Sequence, residues 1–128
     1  MLTLNSILVS SEDATKLTTF YTELFQAEPA WKSGDGNFVG WKLGGGYFTV
    51  GPHDQIKGSN SNPARVMVGL ESTDVTSEFN RAIKIAGASA VQAPYNPNPP
   101  AEMWVSTISD PDGNYIQIMS PFEMDEKG

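Results

Sequence analysis

The sequence predicts an α+β fold built from two similar modules, each with the order strand, helix, strand, strand, strand. Each half of the chain begins with an apolar run and continues into one amphipathic helical segment. Each helical segment is followed by short extended runs separated by glycine or proline. Asp13 and Asp74 stand at equivalent helix starts. The repeat is one of element order, because residue identity between the halves is weak.

The first module opens with a predicted strand over Leu2–Val9, where most side chains are aliphatic or β-branched. The segment Ser10–Asp13 then supplies an N-cap and acidic residues that would complement the dipole in the first helical turn. Apolar residues recur at helical spacing as far as Phe25, and Pro29 marks the chain's exit from the helix. Three further strands are predicted at 30–32, 38–43 and 47–51, the last two joined as a hairpin through Gly44–Gly46.

The second module repeats this order after a polar segment rich in Gly, Ser and Asn. A strand is predicted over Arg65–Leu70, and Thr73 or Asp74 opens a helix for which Gly87 is well placed as the residue after the C-cap. A short strand at 90–93, a proline-rich loop at 94–100 and a hairpin of strands 103–109 and 114–120 complete the module. We therefore predict one domain over 1–128, with module one at about 1–52, a linker at 53–63, module two at about 64–122 and an acidic tail at 123–128.

Composition excludes several classes of function. The chain has 128 residues, no cysteine and a formal net charge of -7. Disulfides, thiolate nucleophiles and cysteine zinc sites are therefore excluded. No cluster of Lys and Arg offsets the negative charge, so nucleic acid is not an expected partner. No apolar run approaches the ~18 residues of a membrane span, and no signal-peptide pattern opens the chain. We expect a cytoplasmic protein that does not bind membranes.

The segment Asp110–Asn114 reads Asp-Pro-Asp-Gly-Asn, which predicts a tight hairpin turn. In context, Ile108–Met119 resembles the last hairpin of the vicinal-oxygen-chelate superfamily, which includes glyoxalases, bleomycin-resistance proteins and extradiol dioxygenases. Phe20–Phe25 resembles the Phe-Tyr-x-x-x-Leu helix end of that superfamily, and the prolines before Trp104 resemble its loop ahead of the penultimate strand. The resemblance covers the chain from Leu2 to about Phe122.

The resemblance implies that two βαβββ modules curl their mixed sheets into a half-barrel around a pocket, with the helices outside. It also implies a homodimer, since members of the superfamily often dimerise. Enzymes of this superfamily hold a divalent cation with two to four ligands on the inner strands, and substrate oxygens chelate that ion.

The residues at the superfamily's ligand positions do not suit a cation. Gln117 stands where the family has Glu after the hairpin turn, and Ser6 and Arg65 stand at or near the positions of the first-strand and fifth-strand His. A ligand on the fourth strand would fall among Tyr47–Thr49. None of these side chains is a carboxylate or an imidazole. The single histidine, His53, is expected in a solvated loop. We therefore expect no metal and no other cofactor.

Strand alternation predicts the side chains that would line a pocket in place of a metal site. If Gln117 points inward, its neighbours at positions 115 and 119 do so too, and by resemblance the inward set of the adjacent strand includes 103, 105 and 107. The predicted ligand-binding residues are Ser6, Trp41, Arg65, Met103, Thr107, Tyr115, Gln117 and Met119. For each a structural role is the alternative. The methionines can fill the core, Trp41 can serve sheet packing or a dimer interface, and Arg65 can be exposed and inert. A buried Arg65 would instead need an anionic partner.

No catalytic residue is assigned, because the sequence has neither a Gly-x-Ser-x-Gly elbow nor a phosphate-binding loop. Our first hypothesis is a metal-free protein that sequesters a small aromatic or amphipathic molecule in a dimer, as bleomycin-resistance-type members do. One alternative is a glyoxalase-like lyase or isomerase, or a dioxygenase relative, with atypical or no metal. The other alternative is a structural or partner-binding protein whose pocket is filled.

Overall fold

A computed structural model describes residues 1–121 and confirms the α+β fold class, with two βαβββ modules. The predicted acidic tail at 123–128 lies outside the described residues. The chain forms two compact units, one from Met1 to Ser59 and one from Asn60 onward, so the division falls inside the segment predicted as a linker. Within residues 1–121, no helix combines the length and the apolar character needed to cross a membrane.

The first unit contains one helix and a four-stranded mixed sheet. Its strand order is β1-β4-β3-β2, with β1 parallel to β4 and the other neighbours antiparallel. Its elements are β1 Ser6–Ser11, α1 Ala14–Phe25, β2 Trp31–Lys32, β3 Val39–Leu43 and β4 Gly46–Pro52.

The second unit has the same topology. Its strand order is β5-β8-β7-β6, and β5 is parallel to β8. Its elements are β5 Val68–Glu71, α2 Val75–Ala82, β6 Ser89–Tyr95, β7 Val105–Ser109 and β8 Tyr115–Met119.

Both helices begin with the same pair of side chains. The N-cap Asp13 accepts a hydrogen bond from the backbone N–H of Lys16 at 3.3 Å, and the Ser11 hydroxyl accepts the N–H of Asp13 at 3.0 Å. In the second unit, Ser72 and Asp74 repeat this arrangement. Asp13 is therefore a cap and not a residue of the first turn, because its side chain satisfies an N–H that the helix leaves unpaired.

Several element boundaries differ from the prediction. Residues 2–5 are not part of β1, and Leu2 is 97% exposed. The parallel partner β4 pairs with β1 only from Ser6 onward, and its last bond toward the N-terminus runs from the Tyr47 N–H to the Asn5 carbonyl, so residues 2–4 lack the ladder that would make them a strand. Helix α2 stops at Ala82, and turns carry the chain on to Gly87, which has a φ of 92°.

An aromatic cluster forms the core of the first unit. Tyr21 and Phe25 of α1 pack on Trp41 and Phe48 of the sheet, with ring centroids 4.6 to 6.4 Å apart. Such tilted and edge-to-face contacts are the arrangements that aromatic quadrupoles favour. The helix therefore covers the face of the sheet that carries Trp41 and Phe48.

The core of the second unit is mainly aliphatic and includes one aromatic ring, that of Phe79. On α2, Phe79 and Ala82 are buried, as are Ile108, Ile116 and Ile118 on the sheet. Between these strands, the buried Ser106 hydroxyl donates to the carbonyl of Ile118 at 2.8 Å. Because side chains alternate along a strand, the remaining residues of β7 and β8 lie on the opposite face.

Candidate ligand-binding site

The face of the second sheet opposite α2 brings together four of the predicted binding residues. We call it the open face, and its central members are Val105, Thr107, Tyr115, Gln117 and Met119. Thr107 is paired with Gln117 and Val105 with Met119 in the antiparallel ladder of β7 and β8. Paired residues on neighbouring strands share a face. Thr107 is 7% exposed, whereas the three β8 side chains are half-buried.

The strand register adds residues that sequence reasoning missed. Gly69 of β5 pairs with Gln117, and Glu71 pairs with Met119. On the other side, Gln92 of β6 pairs with Thr107. Side-chain alternation tells which face of a strand a residue lies on, but only the strand register tells which residues of neighbouring strands lie side by side. No local pattern in the sequence supplied that register.

Gly69 lets the Met119 side chain lie over β5. A Cβ at this position would lie 3.0 Å from the Met119 sulfur, which is tighter than ordinary van der Waals contact. Met119 therefore covers the backbone of Gly69 at this point of the open face.

Arg65 lies at the end of the open face where Tyr115 begins β8. The structure corrects its predicted place, because β5 begins at Val68 and Arg65 occupies the preceding turn, with an exposed side chain. Its backbone N–H donates to the Asn62 carbonyl at 3.1 Å. Together with Tyr115 and residues 61–64, Arg65 lines a depression of about 530 Å³.

The Asp-Pro-Asp-Gly-Asn turn holds the segment that leads into this depression. The Asp110 carboxylate accepts the N–H groups of Asp112 and Asn114 at 2.9 and 3.0 Å, and it also accepts the Asn114 amide at 2.9 Å. The same hairpin turn also binds Asn60. The Asn60 N–H donates to the Asp112 carbonyl at 2.8 Å, and its side chain donates to Asn114 at 2.9 Å.

Two more predicted residues lie apart from this group. Met103 is half-buried just before β7, at the alternate position that precedes Val105. Ser6 is exposed at the start of β1 in the first unit, where it pairs with Tyr47.

Trp41 is a correction to the predicted set. It is 2% exposed, lies under α1 and donates from its indole Nε1 to the Ala27 carbonyl at 2.8 Å. A ring enclosed on the helix side of its sheet cannot line the opposite face. The sheet-packing role, left open by the sequence, is the one that the structure assigns.

The residues at the superfamily's metal positions do not fit a cation. Gln117 offers a neutral amide, Ser6 offers a hydroxyl, and Arg65 is itself a cation. Gly69, the β5 partner of Gln117, adds no side chain. Divalent metals are held at protein sites mainly by carboxylate and imidazole groups. In the part of the chain that the structure describes, no group of three or more His, Cys, Asp or Glu could hold a metal ion. His53 lies in an exposed loop, where its Nδ1 accepts the N–H of Gln55 at 3.1 Å.

Comparison with known proteins gives a family and a fold. The family model described as the glyoxalase-like domain matches residues 6–119 of the sequence. A glyoxalase-related enzyme from Fulvimarina pelagi is 17% identical with a TM-score of 0.74, and the match covers 100% of this chain and 96% of that one. A glyoxalase/bleomycin resistance protein/dioxygenase family enzyme from Burkholderia phytofirmans PsJN is 18% identical with a TM-score of 0.71, covering 94% and 100%.

A glyoxalase / bleomycin resistance protein from Catenulispora acidiphila is 21% identical with a TM-score of 0.67, covering 92% of this chain and 98% of that one. At these identities the solved structures show the fold alone. No curated protein matches the sequence. The family model spans most of the chain, and the hairpin turn and strand order agree with it. The chain belongs to the glyoxalase-like domain family, within the vicinal-oxygen-chelate superfamily.

Proposed function

We propose that the chain binds a small aromatic or amphipathic organic molecule on the open face of its second sheet, without a metal ion. The observation that carries the proposal is the composition of this face. Thr107, with a hydroxyl, and Gln117, with an amide, are paired across the ladder at its centre, and Tyr115 and Met119 lie on either side of Gln117 along β8. Ligand sites are commonly apolar surfaces with a few placed polar groups.

The chemistry of the family's metal positions supports the metal-free part of the proposal. A catalytic metal centre uses about three protein ligands, and these positions supply none of the carboxylates and imidazoles required. Some structural neighbours are named bleomycin resistance proteins, and sequestration of a small molecule is the role we propose here. A homodimer and a cytoplasmic location belong to the same proposal.

Thermal unfolding in the presence of small aromatic compounds of graded polarity tests the proposal. A ligand that binds only the native state at 100 times its Kd stabilises the protein by about 2.7 kcal/mol, which raises Tm by several degrees. Gln117→Leu and Thr107→Val remove the two central polar groups at nearly constant size. We expect both variants to reduce the shift.

Gln55→Leu is the matched control, because Gln55 lies in an exposed loop of the first unit. It should leave the ligand-induced shift intact. The proposal is wrong if no compound raises Tm, or if the two open-face variants retain the full shift. Elemental analysis of the purified protein gives an independent check, and a tightly held equimolar transition metal would contradict metal-free binding.

A further inference from the structure

Two side chains of opposite charge lie at opposite ends of the open face. Arg65 shares the depression with Tyr115, at the first residue of β8. Glu71 pairs with Met119, the last residue of β8. Since a strand rises about 3.3 Å per residue, these ends are roughly 13 Å apart. These two side chains give the ends of the face opposite charges, and at the Arg65 end the Asp110 carboxylate is bonded to backbone N–H groups within the hairpin turn.

We propose that the ligand of this face carries a carboxylate, which binds Arg65 in the depression while its aromatic part lies along Tyr115 and Gln117. The inference rests on the proposed function and adds the ligand's charge and its orientation.

The surroundings of the Arg65 side chain favour a ligand that carries a carboxylate. Among residues 1–121, no carboxylate forms an ion pair with its guanidinium. A guanidinium presents a planar fork of N–H donors that matches the two oxygens of a carboxylate. The net charge of -7 gives the chain an overall field that repels anions, and Arg65 opposes this field only locally. Selection of an anion here therefore needs a direct contact.

The depression has room for such a group. Its volume is about 530 Å³, and it is shallow and open to solvent. Ser61, Pro63 and Ala64 are among its lining residues, and these short side chains leave room for a ligand. The backbone leading into it is fixed at Asn60 by the hairpin turn, and at Arg65 by the bond to Asn62. A fixed backbone lowers the ordering cost of binding.

Glu71 determines the orientation. A carboxylate at the Met119 end of the face would meet a like charge, whereas the aromatic part of the ligand would not. The acidic residue therefore favours the arrangement with the ligand's charge at Arg65.

Paired probes test the charge directly. 2-Naphthoate and 2-naphthamide share a ring system and differ in charge, and calorimetric titration gives a Kd for each. We expect the unmodified protein to prefer naphthoate. Arg65→Gln should weaken naphthoate about fivefold, as for a partly exposed ion pair, and change naphthamide less than twofold. Added salt should reduce the preference.

Lys84→Gln is the matched control, since it removes the same charge from an exposed position just beyond α2, the helix on the other side of this sheet. It should leave both affinities within twofold. Equal binding of the two probes, or an equal loss of naphthoate in Lys84→Gln, would overturn the carboxylate assignment. The proposed function then stands if Gln117→Leu still weakens naphthamide. If neither probe binds, the carboxylate assignment fails, and the proposed function is then decided by the thermal unfolding series alone.

Discussion

At the scale of single residues, Trp41 is a side chain whose role the sequence leaves open and the structure decides. An isolated tryptophan on a predicted strand fits a pocket wall and a packed core equally well. The structure separates them, because the indole is enclosed by α1 and its Nε1 is bonded to Ala27. Trp41 is buried because α1 covers its face of β3. The residues around Trp41 in the sequence do not reveal which face the helix covers.

Trp41→Phe should therefore lower the free energy of unfolding. The change removes a buried hydrogen bond and leaves unfilled volume among Tyr21, Phe25 and Phe48, with an expected cost of about 1–3 kcal/mol. Urea denaturation measures the loss. Trp31→Phe is the control at a tryptophan that is 48% exposed, and its effect should stay within about 0.5 kcal/mol. Equal losses in the two variants would contradict the assignment of Trp41 to the core.

Asp35 gives a prediction for the dependence of stability on pH. The Ser33 hydroxyl and then the Asn37 backbone N–H hold the pKa of this carboxyl below its ordinary value of 3.8. A lowered pKa in the folded state stabilises the protein above pH 3.8, and this contribution is lost as the pH falls through the folded-state value. Asp35→Asn should thus lower Tm slightly at pH 7, and the difference should shrink below pH 3.8. Asp54→Asn is the control in another exposed loop, and a pH-independent difference for Asp35→Asn would refute the account.

At the scale of elements, the turn that follows α2 and the last hairpin turn depend on one glycine. Gly87 has a φ of 92°, and a Cβ there would lie 2.7 Å from the Pro111 ring. The sequence predicted this glycine as the residue after the C-cap of the helix, whereas α2 ends at Ala82 with Ile83 as its C-cap. It did not predict the contact with Pro111, which arises only when the turn packs against that end.

Gly87→Ala should destabilise the protein by about 1–2 kcal/mol or more, because the left-handed backbone and the Pro111 contact both oppose a side chain. Gly34→Ala is the matched control, since its Cβ would meet nothing within 4 Å. Chemical denaturation of the two variants compares them. A similar stability for both would show that the turn tolerates displacement from α2.

At the scale of the whole molecule, the order of elements and the family could be predicted, while the residues that make up the open face could be predicted only in part. Periodicity identified both helices, and Asp110–Asn114 identified the last hairpin, because these signals are local. Arg65 was placed in a strand because its neighbours are apolar, yet the β8 partner allows pairing only from Val68. Gly69 and Glu71 joined the site through the same long-range register.

The metal-free binding proposed above is tested on the complete chain. We expect that chelators leave Tm unchanged, and that Gln117→Glu, which introduces a carboxylate at the family's last ligand position, does not confer tight metal binding. One carboxylate falls short of the three ligands of a catalytic centre. Elemental analysis after dialysis measures both proteins, with Gln55→Glu as a control for added charge. Stoichiometric metal in Gln117→Glu would show that further donors converge on the open face.

The bonds from Asn60 to the last hairpin turn have a consequence for the newly made protein. Asn60 leaves the ribosome well before Asp112 and Asn114, so its partners do not yet exist when the neighbouring Arg65 segment emerges. The open face is therefore expected to be completed last, once the C-terminal strands are synthesised. Nascent chains stalled before the turn should not retain naphthoate.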